Sequence, residues 1–256
     1  MNVANPKNIT VLSLCTGYGG LEVGLARALA NPLRVIAVEV ETYALANLVA
    51  KTEEGKLAIE ALWPDLRTFP AERFGGCFDF ILAGYPCTPF SLAGRQTGKE
   101  HDHYIWPYIR RIIAGVQPEW VFLENVPNHL HKGFPRVLKS LERMGFVFAS
   151  GLYEAAETGA SIRSRRLFVL AQAMRNRHGS KETALQARRH EFLGSVYASP
   201  PPGPCKVADI PGMVDDGPSR VDRLRLLGNG VVPQQAEKAF RELWTRIEST
   251  RAPASR

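Results

Sequence analysis

The chain has no CxxC pair, no long uncharged apolar run and no apolar N-terminal segment of the signal type. Its four cysteines, Cys15, Cys77, Cys87 and Cys205, are scattered singly, so neither a zinc site nor a disulfide framework is indicated, and no metal is expected. A reducing cytoplasm is the setting that fits such usage. The missing apolar runs argue against secretion and membrane insertion. There is no internal repeat, and the one biased tract is Ser199-Pro200-Pro201-Pro202-Gly203-Pro204, which reads as a stiff connector.

What remains is globular. At 256 residues and 45% hydrophobic content, the chain can bury one full core, with room for a small appended lobe. The net charge of +7 is unevenly placed: through Asn128 there are 11 Lys and Arg against 13 Asp and Glu, and beyond it 21 against 12. A basic half steers toward a polyanion such as nucleic acid; the competing reading is a merely solvated surface.

Short apolar runs alternate with helical spacing. Ile9 to Leu14 reads as a buried strand that enters Cys15-Thr16-Gly17-Tyr18-Gly19-Gly20, after which Leu21, Leu25, Ala28 and Leu29 recur at helical intervals. Strand, glycine turn and helix together let backbone approach a ligand closely. A second strand, Arg34 to Val38, ends at Glu39, 20 residues beyond Gly19, the spacing at which an acidic strand end reaches ribose hydroxyls. A ribose-bearing cofactor is implied. Asp65 lies in a loop, where it either accepts from an adenine amino group or serves as a surface turn residue.

Asp79 to Ala83 reads as a strand feeding Gly84-Tyr85-Pro86-Cys87-Thr88-Pro89-Phe90-Ser91. A cysteine between two prolines has its backbone direction fixed nearby, which suits a nucleophile aimed into a cleft, although a lone cysteine also serves as a small apolar residue. Leu92 to Tyr104, polar and glycine-containing, reads as a lid over such a cleft; its His101 and His103 have no metal-ligand spacing. A helix over Ile105 to Ile113 leads to the strand Trp120 to Leu123, which ends in Glu124-Asn125-Val126-Pro127. A carboxylate there points toward the same crevice as Gly17, Glu39 and Cys87, or is simply solvated. A further helix about Phe134 to Leu141, two strands (Phe146 to Leu152 and Leu167 to Leu170) and a last helix from Gln234 to about Ile247 complete the pattern. Arginines between those strands serve as phosphate or base contacts, or as surface charge.

In order and across nearly the whole chain, these stations resemble the C5-cytosine DNA methyltransferases. Pro86-Cys87-Thr88-Pro89-Phe90-Ser91 is similar to the family's Pro-Cys-Gln-x-x-Ser nucleophile motif, Glu124-Asn125-Val126 to its Glu-Asn-Val, and Arg166 to the last arginine of Gln-x-Arg-x-Arg. Gly228-Asn229 is similar to the C-terminal motif that returns to the cofactor pocket. The chain departs from the pattern at Thr88 (usually Gln), at Ser13 and Cys15 (Asp and Phe), and at Ile162 and Ser164, where Gln and Arg are expected.

The resemblance implies a Rossmann-like α/β fold of the class I S-adenosylmethionine-dependent methyltransferases, with a mostly parallel sheet and an antiparallel hairpin edge. Residues 1–173 and 218–256 would form the catalytic domain and 174–217 a short variable region in place of a target recognition domain. Cys87, Glu124 and Arg166 are the expected catalytic residues. Leu14, Thr16, Gly17, Tyr18, Gly19, Gly20, Glu39, Asp65 and Asn229 would hold S-adenosyl-L-methionine, and Ser91, Arg163 and Arg165 would touch DNA. The implied protein is a monomer in the cytoplasm of a bacterial or phage-infected cell, its partner is DNA, and no membrane is involved. The rival readings are the same chemistry on tRNA, a catalytically silent nucleic-acid-binding relative, and a nicotinamide oxidoreductase; the last has no use for a proline-flanked cysteine followed by Glu-Asn-Val.

Overall fold

The computed structural model describes residues 9–86, 105–131, 133–160, 164–174 and 230–251. The expectations placed on Cys87, Ser91, Arg163, Asn229, the 92–104 segment and most of 174–217 fall outside them. Seven strands form one sheet: β1 (Ile9–Leu14), β2 (Leu33–Val38), β3 (Ile59–Trp63), β4 (Phe80–Gly84), β5 (Trp120–Asn125), β6 (Phe146–Glu154) and β7 (Arg165–Ala173). Their order is β3-β2-β1-β4-β5-β7-β6; the first five run parallel, while β7 is antiparallel to both β5 and β6. This is the mostly parallel sheet with an antiparallel edge that the sequence implied.

Helices α1 (Gly20–Leu29), α2 (Thr42–Glu53), α3 (Trp106–Val116), α4 (Phe134–Arg143) and α5 (Pro233–Arg251) accompany the sheet. Successive strand residues face opposite sides, and both sides are buried, which is why the central strands read as continuous apolar runs. Leu12, Ile81, Val121 and Leu123 pack with Ile109, Ile112, Ile113 and Val116 of α3 and Val137 and Leu141 of α4. Val11, Phe80, Leu82, Phe122 and Phe168 pack instead with Leu21 and Leu25 of α1 and with Phe240, Leu243 and Ile247 of α5. Aromatic rings fix α5 on that face: Trp244 stacks on Trp120 at 4.2 Å, and Phe240 meets Phe122 edge-on at 5.6 Å.

The chain reverses its winding between β1 and β4, since β2 and β3 lie on one side of β1 while β4 and β5 lie on the other. At such a switch point the loops leave in opposite directions and a crevice opens beyond the carboxyl ends of the strands.

Candidate cofactor and base-binding crevice

A crevice of about 480 Å³ occupies that position, within the usual range of roughly 300–1,000 Å³ for small-molecule sites. Thr16, Gly17, Tyr18 and Gly20 of the turn after β1, Glu39 after β2, Gly84 to Pro86 after β4, and Glu124 to Val126 line it, together with Arg166, Gly230 and Val231. Most of the site residues singled out from sequence that fall among the described residues therefore converge.

The turn is shaped by residues in left-handed backbone conformation, Gly17 at φ +58° and Gly19 at φ +85°, the latter being the N-cap of α1. Cys15 adopts φ +53° as well, and burial, with Glu39 nearby, pushes its thiol up to about 12, which disfavours the thiolate form. Gly20 serves close approach: a Cβ there would stand 2.2 Å from the Val231 carbonyl oxygen. The Tyr18 hydroxyl donates to that same carbonyl at 2.6 Å, and Lys51 Nζ donates to the Tyr18 carbonyl at 2.6 Å. Gly230 and Val231, just before α5, thus close against the turn.

Glu39, buried at the end of β2, accepts from three backbone amides, those of Gly17, Val40 and Glu41, each at 2.8 Å. Two carboxylate oxygens offer about four acceptor positions, so this arrangement fixes the carboxylate and leaves capacity for a ligand hydroxyl. Val40 beside it lines the crevice and is 66% exposed, an apolar surface at the mouth. Beneath the turn, Glu22 of α1 accepts from the Ser13 hydroxyl, and Ser13 accepts from Thr16 Oγ1 at 2.9 Å. Burial pushes the Glu22 carboxyl up to about 7.

Glu124 and Arg166 come together because β7 runs against β5. The start of an antiparallel strand lies at the same sheet edge as the ends of the parallel ones, and Phe168 is registered with Glu124. The result is a buried ion pair with Arg166 Nε 3.0 Å from Glu124 Oε1 and side chains 11% and 7% exposed. Burial raises the Glu124 carboxyl to about 7, and the guanidinium only partly opposes this. The adjoining Asn125 is also buried; its Nδ2 donates to the Tyr85 carbonyl at 2.9 Å and its Oδ1 accepts from Val126 N at 2.8 Å.

Some expected residues stand elsewhere. The Asp65 carboxylate is taken up by Arg67, whose Nη2 lies 2.7 Å away and whose backbone amide donates at 2.8 Å; Leu66, not Asp65, lines the crevice. The turn reading of Asp65 describes this geometry, and Arg67 also holds its carboxyl below the usual range. Arg165 faces away from Arg166, as alternation along a strand requires, and pairs with Glu154, Nε to Oε1 at 2.9 Å. The Leu14 side chain is in the core, and Gly19 faces Leu57. Sequence reasoning missed Glu22, Val40 and the Tyr85–His129 pair. A first-turn acid three residues past a glycine cap is the signal that marks Glu22; nothing local links Tyr85 to a histidine 44 residues on.

A parallel sheet ending in an antiparallel pair, with a glycine turn and an acid-ended second strand at the switch point, defines the S-adenosylmethionine-dependent methyltransferase fold. Residues 9–194 match the model of the C-5 cytosine-specific DNA methylase family, and the chain belongs to that family. It is 33% identical over 165 residues to the Type II methyltransferase M.NgoMIV of Neisseria gonorrhoeae, covering 62% of this chain and 51% of that one. To the Type II methyltransferase M.CviJI of Paramecium bursaria Chlorella virus IL3A it is 29% identical over 238 residues, covering 91% and 59%. The chain thus spans about half to three-fifths of the length of these curated relatives. The crystal structure of the S. pombe Dnmt2 methyltransferase shares the fold, with a TM-score of 0.55 at 22% identity, covering 70% of this chain and 55% of that one. Among the described residues no helix is long and apolar enough to cross a membrane.

Proposed function

We propose that the protein transfers a methyl group from S-adenosyl-L-methionine to C5 of cytosine in DNA through a covalent adduct to Cys87. The observation that carries this reading is the buried Glu124–Arg166 pair at 3.0 Å, set one strand away from the end of β4, which leads into Pro86 and Cys87.

Cytosine C5 is a poor nucleophile until a thiolate adds at C6. Glu124, with its carboxyl raised to about 7, is suited to hold a proton at cytosine N3 near neutral pH and so promote that addition. Arg166 both holds Glu124 and offers donors to the cytosine O2. S-adenosylmethionine supplies an electrophilic methyl when bound, and the crevice suits it: Glu39 for ribose hydroxyls, Val40 and Leu66 for an apolar ring, the glycine turn for close backbone contact. Cytosine C5, made electron-rich by the addition, takes the methyl group; loss of the C5 proton to a base then releases Cys87. The target base must leave the duplex, at a cost of a few kcal/mol.

The basic C-terminal half would face DNA, with Arg163 among its contacts and Ser91 added from the segment that follows Cys87, and the short 174–217 region would stand where larger relatives carry target recognition. Such an enzyme would act in the cytoplasm of a bacterial or phage-infected cell. Cys87→Ala tests the proposal directly: methyl incorporation into duplex DNA should vanish while S-adenosylmethionine binding stays within a few-fold, and retained transfer would overturn it. Incorporation into tRNA in preference to duplex DNA would redirect the substrate.

A further inference from the structure

We propose that Tyr85 and His129 act as one positioning unit for the covalent step, setting the course of the chain that leads to Cys87; this rests on the function proposed above. Strands β4 and β5 are parallel neighbours, with Gly84 registered opposite Glu124. Beyond this pair, two bonds tie the chain leaving β4 to the chain leaving β5. Asn125 holds the Tyr85 carbonyl at 2.9 Å, and the Tyr85 hydroxyl meets His129 Nε2 at 3.1 Å. Backbone and side chain of one residue are therefore held at separate points, which fixes its rotation as well as its location.

The surroundings make this pair directional. Tyr85 and His129 are buried, 6% and 5% exposed. The tyrosine ring lies 5.9 Å from Trp106 and meets the imidazole edge-on at 5.6 Å; the imidazole in turn meets Phe134, at the start of α4, at 6.0 Å. Two phenylalanines would fill this space without desolvating a hydroxyl and an imidazole. The polar pair adds one preferred orientation, since a buried hydrogen bond penalises every rotamer that breaks it. That orientation passes along the chain with little slack: a residue before proline has a restricted ψ, the Pro86 ring locks its own φ, and Cys87 comes next.

The test compares wild type, Tyr85→Phe, His129→Phe, the double variant and His129→Gln, all in the full chain. The measurements are kcat, the dissociation constant for S-adenosylmethionine, the melting temperature and the single-turnover rate of adduct formation with DNA containing 5-fluorocytosine. Each Phe variant should slow adduct formation and kcat by about tenfold, the scale of losing one buried hydrogen bond, with cofactor affinity changed less than twofold. The double variant should be no slower than the slower single one, because both remove the same bond. His129→Gln, which keeps a hydrogen-bonding partner for the hydroxyl, should lose less than His129→Phe.

Wild-type adduct rates in folded Tyr85→Phe would overturn the inference, as would losses that multiply in the double variant or that track cofactor affinity. Absence of any adduct with the wild-type protein would instead refute the underlying methyltransferase reading, so the two failures are separable.

Discussion

Replacing Glu124 by glutamine probes the most heavily buried charge in the crevice. Glu124 is enclosed between β4 and β7 beside Arg166, and burial outweighs the guanidinium, pushing its carboxyl from the ordinary 4.5 to about 7. A carboxyl raised in the fold binds its proton more tightly there than in the unfolded chain. Its contribution to stability is therefore complete below pH 4.5 and is lost as the pH rises through about 7. The displacement corresponds to about 3 kcal/mol, since each pH unit is about 1.4 kcal/mol. Glutamine keeps the shape but cannot ionise, so the Glu124→Gln protein escapes this loss. Urea unfolding of both proteins at pH 4.5, 6, 7 and 8 should show the variant gaining on wild type by about 3 kcal/mol from the lowest to the highest pH. Other groups that titrate in this range, such as Glu22, cancel in the difference. The same variant should lose methyl transfer, and the wild-type kcat/KM should fall above pH 7 as Glu124 gives up its proton. A stability difference independent of pH would refute the raised carboxyl and the proton-holding role built on it.

Three other substitutions follow from the same geometry. Gly20→Ala drives a methyl against the Val231 carbonyl, 2.2 Å from the added carbon, and should cost about 2 kcal/mol in chemical unfolding while weakening S-adenosylmethionine binding measured by calorimetry. Glu39→Ala removes the charged acceptor from three backbone amides; cofactor affinity should fall by more than tenfold, with a loss of about 1–3 kcal/mol in stability. Phe240→Ala empties a fully packed position between α5 and the sheet, which should cost about 3–4 kcal/mol and lower the melting temperature by about 10 °C.

The central strands were legible because both faces of the sheet are buried, so Ile9 to Leu14, Asp79 to Ala83 and Trp120 to Leu123 stand out as apolar runs. β3 was not, since Ile59–Trp63 is an edge strand with every second residue exposed and only five residues long. Helix positions were recognised and their ends misjudged: Ile105 to Ile113 became Trp106–Val116, and Gln234 to Ile247 became Pro233–Arg251. Apolar spacing stops at the last buried residue, Ile247 in α5, whereas the helix continues through the exposed Glu248, Ser249 and Thr250. In the crevice, Glu39, Glu124 and Arg166 were found because strand ends and motif order mark them. Asp65 and Arg165 lay outside its lining for reasons visible only in three dimensions, a neighbouring Arg67 in one case and strand alternation in the other. Tyr85, His129 and Glu22 belong to contacts between elements, and their significance appears only once the sheet is assembled.

The contact between Tyr18 and Val231 spans 213 residues of chain. A ribosome making this protein releases the glycine turn more than two hundred residues before the carbonyl that completes it. Over that interval the nascent chain holds a half-built pocket, and its ability to capture a methyl donor should switch on abruptly, once α5 has emerged and docked on α1.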